Sequence, residues 1–276
     1  MNIENYPYRT EQIEDRLNIV HHRPLPMPEP ELYRFILSSI DLTTLEGTDN
    51  EQVVQALCQK ALDFKKQAGC MPAAVCVYPP YVHTAVEALQ RNPITIASVA
   101  GAFPAGQSPI EVKVAEVRYA VAQGADEIDM VISRGTFLKG DYQTVYDEIL
   151  AIRDACCEAK LKVILETGEL KTPQNIFKAS QIAIAAGADF IKTSTGKIAV
   201  NATPEAFLVM MDAIKFHYQK TGKRVGIKAA GGISDPDTAV YYVKLLHNVL
   251  GQEWMNRNLF RIGASRLASK VAEKIH

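Results

Sequence analysis

The feature that most constrains this chain is a rhythm. From about residue 35 onward, short β-branched or apolar runs alternate with longer segments of helical period, the pattern that repeated βα units leave in a sequence. Eight runs qualify: FILSSI (35–40), AAVCVY (73–78), ITIASV (94–99), DEIDMVI (126–132), LKVILE (161–166), DFIKTS (189–194), RVGIKAA (224–230) and LFRIGA (259–264). Each is the length of a barrel strand. The expected fold is therefore an α/β protein, a (β/α)8 TIM barrel over residues 35–276, preceded by an N-terminal extension over 1–34.

The intervening segments read as the outer helices. In IEVKVAEVRYAVAQ, Ile110, Val114, Val117 and Val121 recur at helical spacing, and Lys113, Glu116 and Arg118 fall elsewhere. Helix starts carry expected caps at Asp49, Ser108, Thr172, Thr203 and Ser234, several with proline close behind. A weak repeat fixes the register: AQGADEIDMV and AAGADFIKTS both read helix end, Gly-Ala-Asp, strand, polar residue. It makes Asp129 and Lys192 equivalent positions on the fourth and sixth strands. Alternate strands feed the same interior layer, so a carboxylate and an amine face one another at the barrel mouth. In the extension, TEQIEDRLNIV reads as a short helix and RPLPMPEPE as an extended segment. Such an extension can cover the barrel bottom, meet another subunit, or stay a partly ordered tail.

With 47% hydrophobic residues and a net charge of −1, the 276 residues suit a soluble globular protein with a large core. That balance leaves no electrostatic footprint for nucleic acid and no basic cluster for a membrane surface. No apolar stretch reaches the roughly 18 residues of a membrane span, and the charged N-terminus is unlike a signal peptide. The five cysteines are odd in number and lack paired C-x-x-C spacing, which indicates a reduced, cytoplasmic protein without a zinc site. The expected partner is a small molecule, and no metal or cofactor is expected.

Polar residues gather at the C-terminal ends of the expected strands, where barrel enzymes build their sites: Asp41, Asp129, Glu166, Lys192 and Lys228. Lys192 and Lys228 sit in otherwise apolar strand sequence, and burying an ammonium group is costly unless something compensates. One reading pairs them with Asp129 and Glu166 as internal salt bridges. The other holds that one cation beside another favours the neutral amine, the nucleophile that attacks a carbonyl. Gly231-Gly232-Ile233-Ser234 and Gly263-Ala264-Ser265 follow the seventh and eighth strands, a frequent phosphate site in barrels. Cys76, central in AAVCVYP, reads as a small buried side chain or as a substrate-lining one. The His21-His22 pair has no constellation around it and reads as solvent-facing.

At these residues the chain resembles the 2-deoxyribose-5-phosphate aldolase family of class I Schiff-base aldolases, from about Ile40 to Leu267. The runs that carry the resemblance are DLTTL from Asp41, AVCVYP, GADEID, LETGEL, DFIKTSTGK, VNAT and RIGAS. It implies reversible cleavage of 2-deoxy-D-ribose 5-phosphate into acetaldehyde and D-glyceraldehyde 3-phosphate, in deoxyribonucleoside catabolism, without metal or organic cofactor. It implies that Lys192 is the Schiff-base lysine, Lys228 the lysine that lowers its pKa, and Asp129 the proton shuttle. Asp41, Cys76, Thr195 and Lys197 fall in the surrounding substrate-binding set, and Gly196, Gly231, Gly232, Gly263 and Ser265 at the phosphate. A homodimer is the implied assembly. Three departures stand out: Ala229 where the family has proline after the second lysine, Arg266 where many members have a second serine, and a terminus at Lys274-Ile275-His276 without a tyrosine-bearing tail. Two rival readings remain on the residues alone. One is a phosphosugar isomerase or epimerase using Asp129 and Glu166 as acid and base. The other is a barrel that binds sugar phosphates without catalysis.

Overall fold

The structure is a computed structural model that describes residues 3–275. Its strands are β1 Ile40–Thr43, β2 Ala74–Val77, β3 Thr95–Ala100, β4 Glu127–Val131, β5 Lys160–Ile164, β6 Phe190–Lys192, β7 Gly226–Ala230 and β8 Phe260–Ala264. They run parallel in sequence order, and β8 pairs with β1 to close the barrel. Closure sets Asp41 beside Gly263, and the β6–β7 register sets Lys192 beside Lys228. Helices lie between successive strands, so the strands are covered on both faces and read as near-continuous apolar runs.

The first expected strand is displaced. FILSSI is not β1: residues Glu29–Ser38 form a helix, and β1 begins only at Ile40. Leu32, Tyr33, Ile36 and Leu37 are its buried residues, a helical spacing that starts upstream of the apolar run, and Glu29 and Glu31 suit the positive end of its dipole. The RPLPMPEPE segment is not extended throughout: the chain bends at Arg23, Pro26 and Met27, and from Glu29 it is helical. This helix seals the barrel floor at its edge, where Phe35 stacks on Phe260 at the start of β8 with ring centroids 5.8 Å apart.

Caps were legible in part. Thr172 and Thr203 accept from Asn175 N and Ala206 N as expected. Two others lie one residue later than expected, Asn50 rather than Asp49 and Asp235 rather than Ser234, and Asp141 adds a cap that was not expected. Asp49 instead accepts from Thr44 Oγ1 and Glu46 N, which organises the loop after β1. At Ser108 the helix Ile110–Ala122 starts after Pro109 without a side-chain cap. The inner face of that helix carries Lys113, Val117 and Ala120, so Lys113 is buried rather than outward. Its ammonium is compensated by Ser133 Oγ at 2.7 Å and Glu148 Oε2 at 3.3 Å.

The TEQIEDRLNIV stretch forms helix Thr10–His22, which packs on helices Pro204–Thr221 and Pro236–Leu250 along the flank of the barrel. Asp212 holds it there. Its carboxylate accepts from Tyr6 Oη at 2.7 Å and from both terminal nitrogens of Arg16 at 2.7 and 2.6 Å. His21 and His22 are exposed, as read.

Candidate active site

Six strands contribute charged side chains to the barrel interior, and each alternates with apolar neighbours that point outward into the helices. β1 provides Asp41, β4 provides Glu127 and Asp129, β5 Lys162, β6 Lys192, β7 Lys228 and β8 Arg261. All seven are buried. Beneath them Phe190 plugs the barrel, in space kept open because residue 226 is glycine; a Cβ there would overlap the Phe190 ring. The Arg261 guanidinium lies 5.7 Å from the centre of that ring.

Asp129 is the hub. Lys162 donates to its Oδ1 at 2.7 Å, and Lys192 and Lys228 both donate to its Oδ2, at 2.7 and 2.8 Å. Lys228 also donates to Asp41, which accepts from Arg261 Nη1 at 2.6 Å on its other oxygen. Glu127 closes the network, with Lys162 at 2.6 Å and Arg261 Nη2 at 2.8 Å. Three carboxylates therefore face four basic groups, and a buried cluster is least costly when its charges balance.

The electrostatics set one base apart. Burial pushes the carboxyls of Asp41, Glu127 and Asp129 up, but the surrounding cations overcome it and hold all three below the usual carboxylate range. Burial pulls Lys162 and Lys228 down, yet their carboxylate partners raise both above an ordinary lysine; Arg261 follows the same pattern. Lys192 is the exception. Its burial, reinforced by the Lys228 charge, outweighs Asp129 and leaves its pKa lowered. Lys192 is thus the one base of the cluster that its surroundings push towards the neutral amine.

Lys192 is also the single member of this network that reaches the open cavity at the C-terminal end of the barrel, a space of about 380 Å³. Thr195, Gly196 and Lys197 from the loop after β6 line it, with Gly231 and Gly232 after β7 and Gly263 and Ser265 at β8. Gly231 has φ +84°, and a Cβ there would sit 2.6 Å from the Cβ of Asn201, so the β7 loop can take this path only with glycine. Lys197 donates to Glu46 Oε1 at 3.0 Å, bridging the loops after β6 and β1.

Two of the expected substrate-binding residues lie behind the wall. Asp41 is consumed by Lys228 and Arg261. Cys76 packs with Leu45, Ala97 and Val99, and burial raises its thiol. Glu166 is not a partner of either lysine. It adopts φ +57° and accepts from Thr195 N at 3.1 Å, Thr195 Oγ1 at 2.6 Å and Arg134 Nη1 at 3.1 Å, which fixes the loop that follows Lys192. Lys162, Arg261 and Glu127 escaped the sequence reading, although each is a charge within an apolar strand run, the same signal that marked Lys192 and Lys228. Among the described residues, no group of three or more His, Cys, Asp or Glu could hold a metal ion.

A closed barrel with a buried lysine of lowered pKa at the foot of a glycine-lined cavity defines a carbonyl-attacking barrel enzyme. Comparison narrows the class. The sequence profile of the DeoC/LacD family aldolases matches residues 35–241. The deoxyribose-phosphate aldolase of Homo sapiens is 48% identical over 249 residues, covering 86% of this chain and 78% of the human one. That of Mus musculus is 47% identical over 249 residues with the same coverage. Among solved structures, the tetrameric deoxyribose phosphate aldolase of Aeropyrum pernix matches with a TM-score of 0.72 at 28% identity, covering 96% of this chain and 97% of that one. The chain belongs to the DeoC/LacD family of aldolases.

Proposed function

We propose that this aldolase cleaves 2-deoxy-D-ribose 5-phosphate reversibly into acetaldehyde and D-glyceraldehyde 3-phosphate through an imine on Lys192. The observation that carries the reading is the position of Lys192, the one member of the buried network that reaches the cavity, hydrogen-bonded to Asp129 and lowered in pKa by burial and by the Lys228 charge. Its nitrogen lone pair adds to the C1 aldehyde, and the carbinolamine loses water to give a protonated imine. The C3 hydroxyl then gives up its proton, the C2–C3 bond breaks, and its electrons move onto the imine to leave an enamine. Protonation at C2 and addition of water release acetaldehyde and restore the amine. The imine itself is the electron sink, so the sequence of steps calls for no cofactor.

Asp129 Oδ2 is within hydrogen-bond reach of both Lys192 and Lys228. It can receive the proton shed by the Lys192 nitrogen during addition and return it in the later steps. Lys228, raised in pKa by its carboxylates, keeps its charge at working pH and suppresses protonation of Lys192. Asp41 holds Lys228 in place, and Thr195, Lys197 and the glycines at 196, 231, 232 and 263, with Ser265, offer donors to the phosphate end. Residues 35–276 act as the catalytic barrel and 1–34 as its extension, the whole working as a cytoplasmic homodimer. The five cysteines, odd in number and without paired spacing, favour that compartment.

Intact-mass measurement after incubation with acetaldehyde and borohydride tests the reading. The expected product is a single ethyl adduct that peptide mapping places on Lys192. Absence of the adduct, with turnover of a sugar phosphate retained, would point to proton-transfer chemistry at Asp129 and Glu166 instead.

A further inference from the structure

The barrel rim carries a second polar network, separate from the charges inside. Arg134 opens the short helix after β4. Its Nη2 donates to Pro104 O and Ala105 O in the loop after β3, at 3.1 and 2.8 Å, and its Nη1 to Glu166 Oε2 after β5, at 3.1 Å. Glu166 in turn accepts from Thr195 N at 3.1 Å and Thr195 Oγ1 at 2.6 Å, after β6. One guanidinium and one buried carboxylate thereby join four consecutive loops. The Arg134 end is itself pinned, because the neighbouring Ser133 Oγ accepts from Lys113 and donates to Glu148 Oε2. At Glu166 the backbone adopts φ +57° and ψ +59°, a left-handed conformation that a residue other than glycine keeps only where its surroundings impose it, typically at functional sites.

Lys192 needs none of this support. Its Nζ is held by Asp129, and its backbone by the ladder to β5 and β7. Thr195 lies past the end of that ladder, on the cavity wall, and Glu166 is what ties it down. Lys197 N donates to Thr195 Oγ1 at 3.1 Å, so the rest of the loop hangs from the same point. The two supports serve different tasks. Capture of a small aldehyde calls for the amine and its proton partner alone. A whole sugar must also be turned so that the bond to be broken is aligned with the imine, and a misplacement of about 1 Å can cost about 10²-fold in rate. We propose that Glu166, held by Arg134, is a positioning residue for cleavage: it fixes Thr195 and its loop on the cavity wall so that the bound sugar meets Lys192 in the reacting orientation. The inference rests on the Schiff-base reading above, because it separates imine formation from the orientation of the sugar.

The test compares the full-length chain with Glu166→Gln, Thr195→Val and the double variant. Glu166→Gln keeps the side chain's shape but puts an amide donor where a carboxylate oxygen accepted. Its kcat/KM for 2-deoxyribose 5-phosphate is expected to fall about 10²-fold, while the rate of borohydride trapping with acetaldehyde stays that of the wild type. Thr195→Val should show a loss of the same kind, and the double variant should be no worse than the poorer single one, because both changes break one link. Should Glu166→Gln not fold, Arg134→Lys, which keeps the charge but not the fork that spans two loops, takes its place in the same comparison. Equal losses in trapping and cleavage, losses that multiply in the double variant, or an unchanged kcat/KM would overturn the proposal. So would abolished turnover in Glu166→Gln beside a nearly normal Thr195→Val, which would make Glu166 a proton-transfer group. Failure of the wild-type chain to form a borohydride-stable adduct would sink the Schiff-base reading alone, and the double-variant comparison on sugar turnover would still decide the role of Glu166.

Discussion

Replacing Lys228 by methionine keeps an unbranched side chain of similar length and removes the charge that shares Asp129 Oδ2 with Lys192. The two nitrogens lie 2.7 and 2.8 Å from that oxygen. At a roughly tetrahedral angle they are about 4.5 Å apart, and at an effective dielectric constant of about 20 two unit charges at that separation repel by about 3.7 kcal/mol. This is the part of the preference for neutral Lys192 that Lys228 supplies. Since about 1.4 kcal/mol is a factor of ten, the neutral fraction falls by about 10²- to 10³-fold wherever the amine is mostly protonated. The direction is set: Lys192 loses a neighbour that lowers its pKa, so its pKa rises. The acidic limb of kcat/KM should therefore move to higher pH, with the largest deficit at neutral and low pH and recovery as pH increases. Asp41 and Asp129 each lose a partner, and breaking a buried pair costs about 3–5 kcal/mol of stability, so thermal denaturation must first show a folded enzyme. The assay is a pH profile of cleavage alongside the rate of borohydride trapping at each pH. A deficit that is the same at every pH would refute the electrostatic role and make Lys228 a matter of shape.

Lys192→Ala should abolish cleavage and adduct formation while the far-ultraviolet circular dichroism spectrum stays native, because Asp129 keeps two lysine partners; residual turnover near wild type would remove Lys192 from the mechanism. Asp129→Asn should lose about 10²- to 10⁴-fold in turnover, the usual worth of a positioned proton carrier, yet still be trapped by acetaldehyde and borohydride. Unchanged turnover would exclude Asp129. Gly231→Ala forces a side chain into a left-handed conformation and against Asn201, so KM for the phosphorylated sugar should rise and the melting temperature fall; a neutral outcome would show that the loop is freer than its packing implies. Dialysis against a chelator should leave activity intact, and restoration of a lost activity by a divalent ion would contradict an imine mechanism.

Much of this site could be read in the residues because a barrel converts strand alternation into inward geometry. A lysine inside FIK or GIK, or an aspartate inside EIDMV, must face either the barrel interior or the helix layer, and the repeat of Gly-Ala-Asp placed two of them at equivalent positions on alternate strands. The same logic applied to Lys162 and Arg261, which lie level with Asp129 and Lys228, but no repeat or motif singled them out. Which carboxylate meets which base depends on register across strands far apart in sequence, and no local pattern encodes it. Glu166 illustrates the point: its partner Arg134 lies in the short helix after β4, 32 residues away. The misplaced first strand has a different cause. A six-residue apolar run fits either period, and only the buried positions upstream, from Leu32, show that it is the end of a helix.

The network has a sidedness that bears on how the chain assembles. Every carboxylate in it comes from β1 or β4, and every base from β5 to β8. The barrel is thus two half-barrels with interiors of opposite sign. Neither can bury its own inner face, because charges of one sign crowded into a low dielectric repel one another and lack partners, at several kcal/mol apiece. Two copies of the same half would meet the same penalty. Only the acidic half with the basic half gives a neutral seam. The charges that set up the chemistry at Lys192 also act as a matching code for closure, so a substitution that reverses one of them would damage assembly of the two halves as well as catalysis.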